Sequence, residues 1–206
     1  MTRKQTIHNI YLILSALLIL FGTYLILTMG GSFSFVGLRF FTVLSNLYVA
    51  LSFIILVFLG EKKAAFRNQL FLSATVSISI TGLVYNLVLV PFAGADPIFA
   101  YYANFSVHLL AMVLALFNYF VFEQKGHFKY IYLWAACAPP LLYWASFMVI
   151  GAITNASADF YPYFFMNPPQ IGWLLTLMWL GILVVIILGL TCLLILFDKR
   201  RRKQSC

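Results

Sequence analysis

Six long apolar runs alternate with short connections, and every second connection is rich in lysine and arginine. This alternation constrains the chain more than any other feature. A bilayer core about 30 Å thick is crossed by about 20 helical residues, and the runs cover residues 7–29, 40–59, 70–90, 100–122, 130–153 and 171–197. Helices are expected because each satisfies its own backbone hydrogen bonds in lipid. A β-barrel would show alternating segments of about 10 residues, and none is present. Composition agrees: 64% of the residues are hydrophobic and 9% charged, against about 45–50% and about 25% in soluble domains. The expectation is an all-α, multi-pass protein of the cell membrane, a single transmembrane domain over residues 1–206 built as a bundle of six helices.

The connections set the orientation. Arg3 and Lys4 precede the first run; Lys62, Lys63 and Arg67 follow the second; Lys125 and Lys129 follow the fourth; Lys199, Arg200, Arg201, Arg202 and Lys203 close the sixth. Twelve of the thirteen basic residues thus share one side, and Arg39 alone takes the other. The positive-inside rule places the twelve, and both termini, in the cytoplasm. The first run is too long for a signal-peptide core and no small-x-small cleavage site follows it, so it reads as a retained span. The net charge of +8 is explained by topology. A nucleic-acid binder would gather its basic residues on a folded face, so no nucleic acid is expected. Cys137, Cys192 and Cys206 show no paired spacing for a disulfide or metal site; Cys206 follows the polybasic tail, a weak acylation signal. Pro139 and Pro140 should kink the fifth span. An inverted-repeat transporter would carry matching broken helices in both halves, and only the fifth span is interrupted. Tyr101, Tyr102, Tyr161, Tyr163 and Trp173 gather at outer ends and Tyr130, Tyr132 and Trp134 at an inner end, as interfacial belts do.

Chemistry must come from the polar residues inside the membrane. Thr42, Ser45 and Asn46 share one face of the second span by their i, i+3, i+4 spacing. Thr75, Ser79, Gly82 and Asn86 form a small-and-polar stripe in the third. Asn104 and His108 are i, i+4 neighbours in the fourth. Because consecutive spans reverse direction, Thr42, Asn86 and His108 all fall in the outer half, although Thr42 lies several ångströms shallower than His108 by helical rise. His108 is the one Asp, Glu, Lys, Arg or His deep inside a run. An intramembrane ionisable residue marks a functional site by default; the plain alternative is a neutral imidazole bonding helices together. Next to a histidine, a threonine hydroxyl becomes a nucleophile: the imidazole takes its proton and returns it to the leaving group. Asn46, Asn86 or Asn104 would orient the base or donate to an oxyanion, or simply glue helices. Arg39 reads as an interfacial anchor or as a clamp for a substrate carboxylate or phosphate. Tyr161-Pro162-Tyr163-Phe164 reads as a belt segment or a lid. No metal is expected, since one histidine is too few for a zinc site, and no cofactor is called for.

Three segments resemble a known family. Arg39-Phe-Phe-Thr-Val-Leu-Ser-Asn46-Leu is similar to the signature opening the second helix of the androgen-induced-protein-like membrane family. Asn104-Phe-Ser-Val-His108 resembles its asparagine–histidine segment, and Phe160-Tyr-Pro-Tyr-Phe-Phe165 its Tyr-Pro motif after the fifth helix. Order, spacing and the six-span plan agree over most of the chain, which looks closer to the compact bacterial branch. The resemblance implies an atypical threonine hydrolase of fatty acid esters of hydroxy fatty acids, with the essential threonine at Thr42 and the essential histidine at His108. Family members often carry a proline about one turn after that histidine. Leu109 to Phe117 contains none, so the helix geometry there is expected to differ.

The leading expectation is a membrane-embedded hydrolase of lipid carboxylic esters, with Thr42 as nucleophile, His108 as base, and Arg39, Ser45, Asn46, Asn86, Asn104, Tyr161 and Tyr163 binding or orienting a fatty-acyl ester. The competing expectations are a lipid or small-molecule transporter or binding protein with an outer polar pocket, and a scaffold whose polar residues only join helices.

Overall fold

The computed structural model describes residues 2–59, 63–123 and 126–203, the last three by backbone alone. Lys62, Lys125 and Cys206 lie outside the described residues. All regular structure among the described residues is helical, and six helices are long and apolar enough to cross a membrane. They are α1 (Arg3–Thr28), α2 (Phe41–Phe58), α3 (Ala64–Ala93), α4 (Tyr102–Val121), α5 (Tyr130–Ile153) and α6 (Trp173–Lys203). Each coincides with an expected apolar run, and the chain reads as a multi-pass membrane protein. Arg3, Lys4, Lys63, Arg67, Lys129 and Lys199 stand at one end of the bundle and Arg39 at the other.

The boundaries shift for local reasons. α3 starts six residues before its apolar run because Ala64-Ala65 and the polar residues after them continue the helix without a breaker. It ends at Gly94, whose φ of 66° supplies the left-handed turn that favours glycine. α4 starts at Tyr102, two residues later than the apolar run.

α3 is the axis of the bundle. It packs against α2, α4, α5 and α6, and its twelve residues from Phe71 to Gly82 are all buried. Small and hydroxylated side chains let helices approach closely where lipid supplies no hydrophobic drive. Two of the hydroxyls bond back within the helix: Ser79 donates to the Thr75 carbonyl at 2.7 Å and Thr81 to that of Ser77 at 3.2 Å. Gly82 is small for a stated reason, since a Cβ there would lie 2.6 Å from the His108 carbonyl oxygen of α4.

α5 runs as helix through Pro139 and Pro140 from Leu133 to Ile153. A proline removes the donor to the carbonyl four residues earlier. For Pro139 that carbonyl belongs to Ala135, and the Ser73 hydroxyl of α3 fills the gap at 2.6 Å. α5 and α6 are the loosely covered helices: 17% and 22% of their most apolar stretches are buried, against 39–50% in the other four. Tyr102, Tyr130, Trp134 and Trp173 are exposed at the helix ends, as a belt requires, but Tyr132 and Tyr161 are buried and belong to the packed interior.

Candidate functional site

Thr42 is the second residue of α2. Helix starts leave their first amides without intrahelical acceptors, and Phe40, at the cap, offers no side-chain bond. The connection between α5 and α6 supplies the missing acceptor: the Thr42 N–H donates to the Tyr163 hydroxyl at 3.4 Å. Tyr163 reaches this point between the rings of Phe40, Tyr143 and Phe165. Burial pushes its phenol up, and bonds with Thr42 and Phe41 pull the other way.

His108 comes from α4, within a π-helical turn over Ser106–Leu110 that closes with the Ala111 N–H on the Ser106 carbonyl. α3 carries a second π turn, Tyr85–Leu89. Such turns widen a helix by one residue and are frequent at functional sites. The two meet face to face: the Tyr85 ring stacks on the His108 imidazole with centroids 3.5 Å apart and planes 20° apart.

The His108 ring is 6% exposed on a residue basis, and both nitrogens have assignable partners. Nδ1 lies 3.1 Å from the Asn104 carbonyl oxygen, which can only accept, so Nδ1 carries the proton. Nε2 then presents its lone pair to the Thr42 hydroxyl, with Oγ1 at 3.4 Å. That is long for a settled hydrogen bond, as catalytic contacts often are before substrate arrives. The two side chains meet although Thr42 is the second residue of α2 and His108 the seventh of α4.

The remaining expected residues sort by distance. Asn46 is fully buried and donates to the Thr42 carbonyl at 2.7 Å and to the Val107 carbonyl at 2.9 Å, so it ties the two loaded backbones together. Ser45 bonds the Thr42 carbonyl at 3.0 Å and the Thr81 hydroxyl at 2.7 Å. Asn104 orients the base through its backbone, whereas its side chain donates to the Pro97 carbonyl at 2.9 Å. Asn86 donates to the Gly82 carbonyl of its own helix at 2.8 Å. Arg39 donates through Nη2 to the Asp159 carbonyl at 2.9 Å and accepts the Tyr143 hydroxyl on its own carbonyl at 2.8 Å. It fastens the connection that carries Tyr163. Tyr161 packs its hydroxyl against Gly151 of α5 and stands apart from the pair.

Beside the pair is a cavity between α2, α3, α5 and α6 with about 580 Å³ of space, its open mouth included. Thr42, Tyr85, Pro140, Tyr143, Trp144 and Tyr163 help line it, and most of the remaining wall is aliphatic or aromatic. His108 lies behind Thr42 and Tyr85. Such a wall suits an apolar ligand, and Thr42 is one of the few polar groups it presents.

Tyr85, Tyr143, Thr81 and Trp144 are the contributors that the sequence reading passed over. A signal existed for Tyr85, which follows Thr81 by one helical turn on a helix already marked by hydroxyls. Tyr143, one turn after Pro140, carried a similar one. No protein-family model, curated protein or solved structure matches this chain.

Proposed function

We propose that this protein is a membrane-embedded hydrolase of lipid carboxylic esters, with fatty acid esters of hydroxy fatty acids as the substrate class that the motif resemblance implies. The observation that supports it most is the Thr42 Oγ1–His108 Nε2 approach of 3.4 Å with Nδ1 already engaged by a carbonyl.

The acyl chain occupies the apolar cavity with its ester carbonyl at Thr42. Oγ1 attacks the carbonyl carbon while its proton passes to His108 Nε2. The imidazolium formed is held by the Asn104 carbonyl on Nδ1–H and by the face of Tyr85, a cation–π contact. The oxyanion is stabilised by the Tyr163 hydroxyl and the positive end of α2. Collapse breaks the ester C–O bond, and the leaving alkoxide takes the proton from Nε2 as the hydroxy fatty acid departs. A water molecule, deprotonated by His108, then attacks the acyl-threonine. Release of the free fatty acid returns the proton to Thr42. Asn46 and Ser45 hold the Thr42 carbonyl. Arg39 holds the Tyr163 connection, which replaces the carboxylate clamp as its role. With the basic end in the cytoplasm, the site opens in the outer leaflet.

The test is hydrolysis of a branched fatty-acid ester by purified protein. Wild-type activity retained in both Thr42→Ala and His108→Ala sinks the reading. The cavity also favours a second reading, a lipid-binding protein without catalysis, which stoichiometric retention of the ester with no product would support.

A further inference from the structure

The basic end contains a second, larger cavity of different character, with about 1540 Å³ of space including its mouth. Its lining includes Lys4, His8, Asn68, Arg67, Glu123 and His127. Part of this wall is rigid. Glu123 Oε1 accepts Arg67 Nη2–H at 2.9 Å and Asn118 Nδ2–H at 3.2 Å. The Asn118 amide is thereby oriented, so its Oδ1 receives His8 Nε2–H at 2.8 Å. The His8 ring also lies flat on Phe122, with centroids 4.8 Å apart and planes 2° apart.

Among the described residues, the lining holds one acid, Glu123, which pairs with Arg67, and Lys4 is a further cation beside the rings of His8 and His127. The charges of Glu123, Arg67 and Lys4 all act on the His8 ring. The N-terminus of α3 adds to this: Ala64 lines the cavity, no acid lies in the first turn, and the cap residue Lys63 makes no side-chain bond. Helix starts of this kind favour anions. The groups come from α1, α3 and the connection after α4, so they converge from separate elements. They stand at the ends of helices long and apolar enough to cross a membrane. Basic pockets between transmembrane helices at such ends take anionic head groups.

We infer that this basic-end cavity is a binding site for a phosphate group, engaged by Lys4, His127 and the start of α3 against the fixed His8–Asn118–Glu123–Arg67 wall. A phosphate fits better than a carboxylate, because its oxygens point outward in several directions and the donors surround the space. The lipid phosphodiester of an anionic head group and a soluble phosphate share this chemistry.

The experiment measures binding of dioleoylphosphatidylglycerol, dioleoylphosphatidylcholine and inorganic phosphate to the full chain in detergent, by native mass spectrometry and by thermal shift at constant ionic strength. The comparison variant is Lys4→Ala/His127→Ala, which alters two exposed side chains and leaves the Glu123 bonds in place. Wild type should retain phosphatidylglycerol over phosphatidylcholine, and the double variant should weaken that retention about tenfold, near the value for losing one to two basic contacts. Inorganic phosphate that binds with the same dependence on Lys4 and His127 keeps the site and makes its ligand soluble. Equal binding of the two lipids with no response to inorganic phosphate, or full retention by the double variant, overturns the inference.

Discussion

The bundle holds a half-buried histidine at its basic end and a buried one at the other, and the two are held by opposite means. At the basic end, His8 bonds Asn118 and shares Glu123 with Arg67, and the acid gathers these groups within 3.8 Å. At the other end, His108 meets a hydroxyl, a carbonyl and an aromatic face. The one acid joined to that cluster, Asp96, takes part through its backbone carbonyl, which accepts the Tyr85 hydroxyl at 2.6 Å. His8 therefore sits beside a carboxylate–arginine pair, whereas His108 faces only neutral dipoles, the setting that the proposed role as a base calls for. The His108 and Glu123 positions are about 22 Å apart along α4 at 1.5 Å per residue, far enough for the two ends to be altered independently.

The largest effect should come from the pair itself. Thr42→Ala and His108→Ala are each expected to lower ester hydrolysis by about 10³-fold, the scale of losing a nucleophile or its base. The double variant should be no worse than either single one, because the two act as a unit. Initial rates on purified protein decide this. His8→Ala should leave kcat within about twofold, since separated sites act additively; a loss at His8 equal to that at His108 would erase the distinction between the ends.

Next in size is Tyr163→Phe. Removing one oxyanion donor costs about 10²-fold in kcat, or ~3 kcal/mol, and KM should change little because the ring stays in the cavity wall. A KM effect with unchanged kcat would make Tyr163 a wall residue only. The counterpart at the basic end is Glu123→Ala. It removes the partner of a partly exposed Arg67 and should cost about 2 kcal/mol of stability, below the value for a fully buried pair. Thermal unfolding in detergent should show the loss, with activity per folded molecule preserved.

The sequence carried the frame of the site better than its fine geometry. The spans were legible because lipid enforces length and charge placement, and His108 stood out because ionisable residues are rare inside spans; its approach to Thr42 agrees with their placement on one side. The i, i+4 spacing of Asn104 and His108 also survives, although the carbonyl does the orienting. What stayed hidden depends on register between helices. Nothing local announces that α3 and α4 each widen by a residue, which brings Tyr85 over His108. Tyr163 arrives from more than a hundred residues away, by folding back of a connection whose Tyr-Pro motif reads equally well as a belt. Of the alternatives the sequence left open, Arg39 bonds the distant Asp159 carbonyl, which spacing does not identify, and Asn86 bonds the Gly82 carbonyl one turn back on its own helix.

The smallest effect tests why a histidine without a carboxylate could serve as a base. The Tyr85 face at 3.5 Å from the imidazole centroid would stabilise the imidazolium formed during attack by about 1 kcal/mol. Tyr85→Leu should therefore lower kcat about fivefold. The same substitution also breaks the hydroxyl bond to the Asp96 carbonyl, which holds the connection between α3 and α4. Tyr85→Phe separates the two contributions, since it keeps the ring and loses that bond. If the face matters, the Phe variant retains near wild-type kcat and the Leu variant does not. If both fall together, Tyr85 acts through Asp96 and the connection, and the imidazolium relies on the Asn104 carbonyl alone.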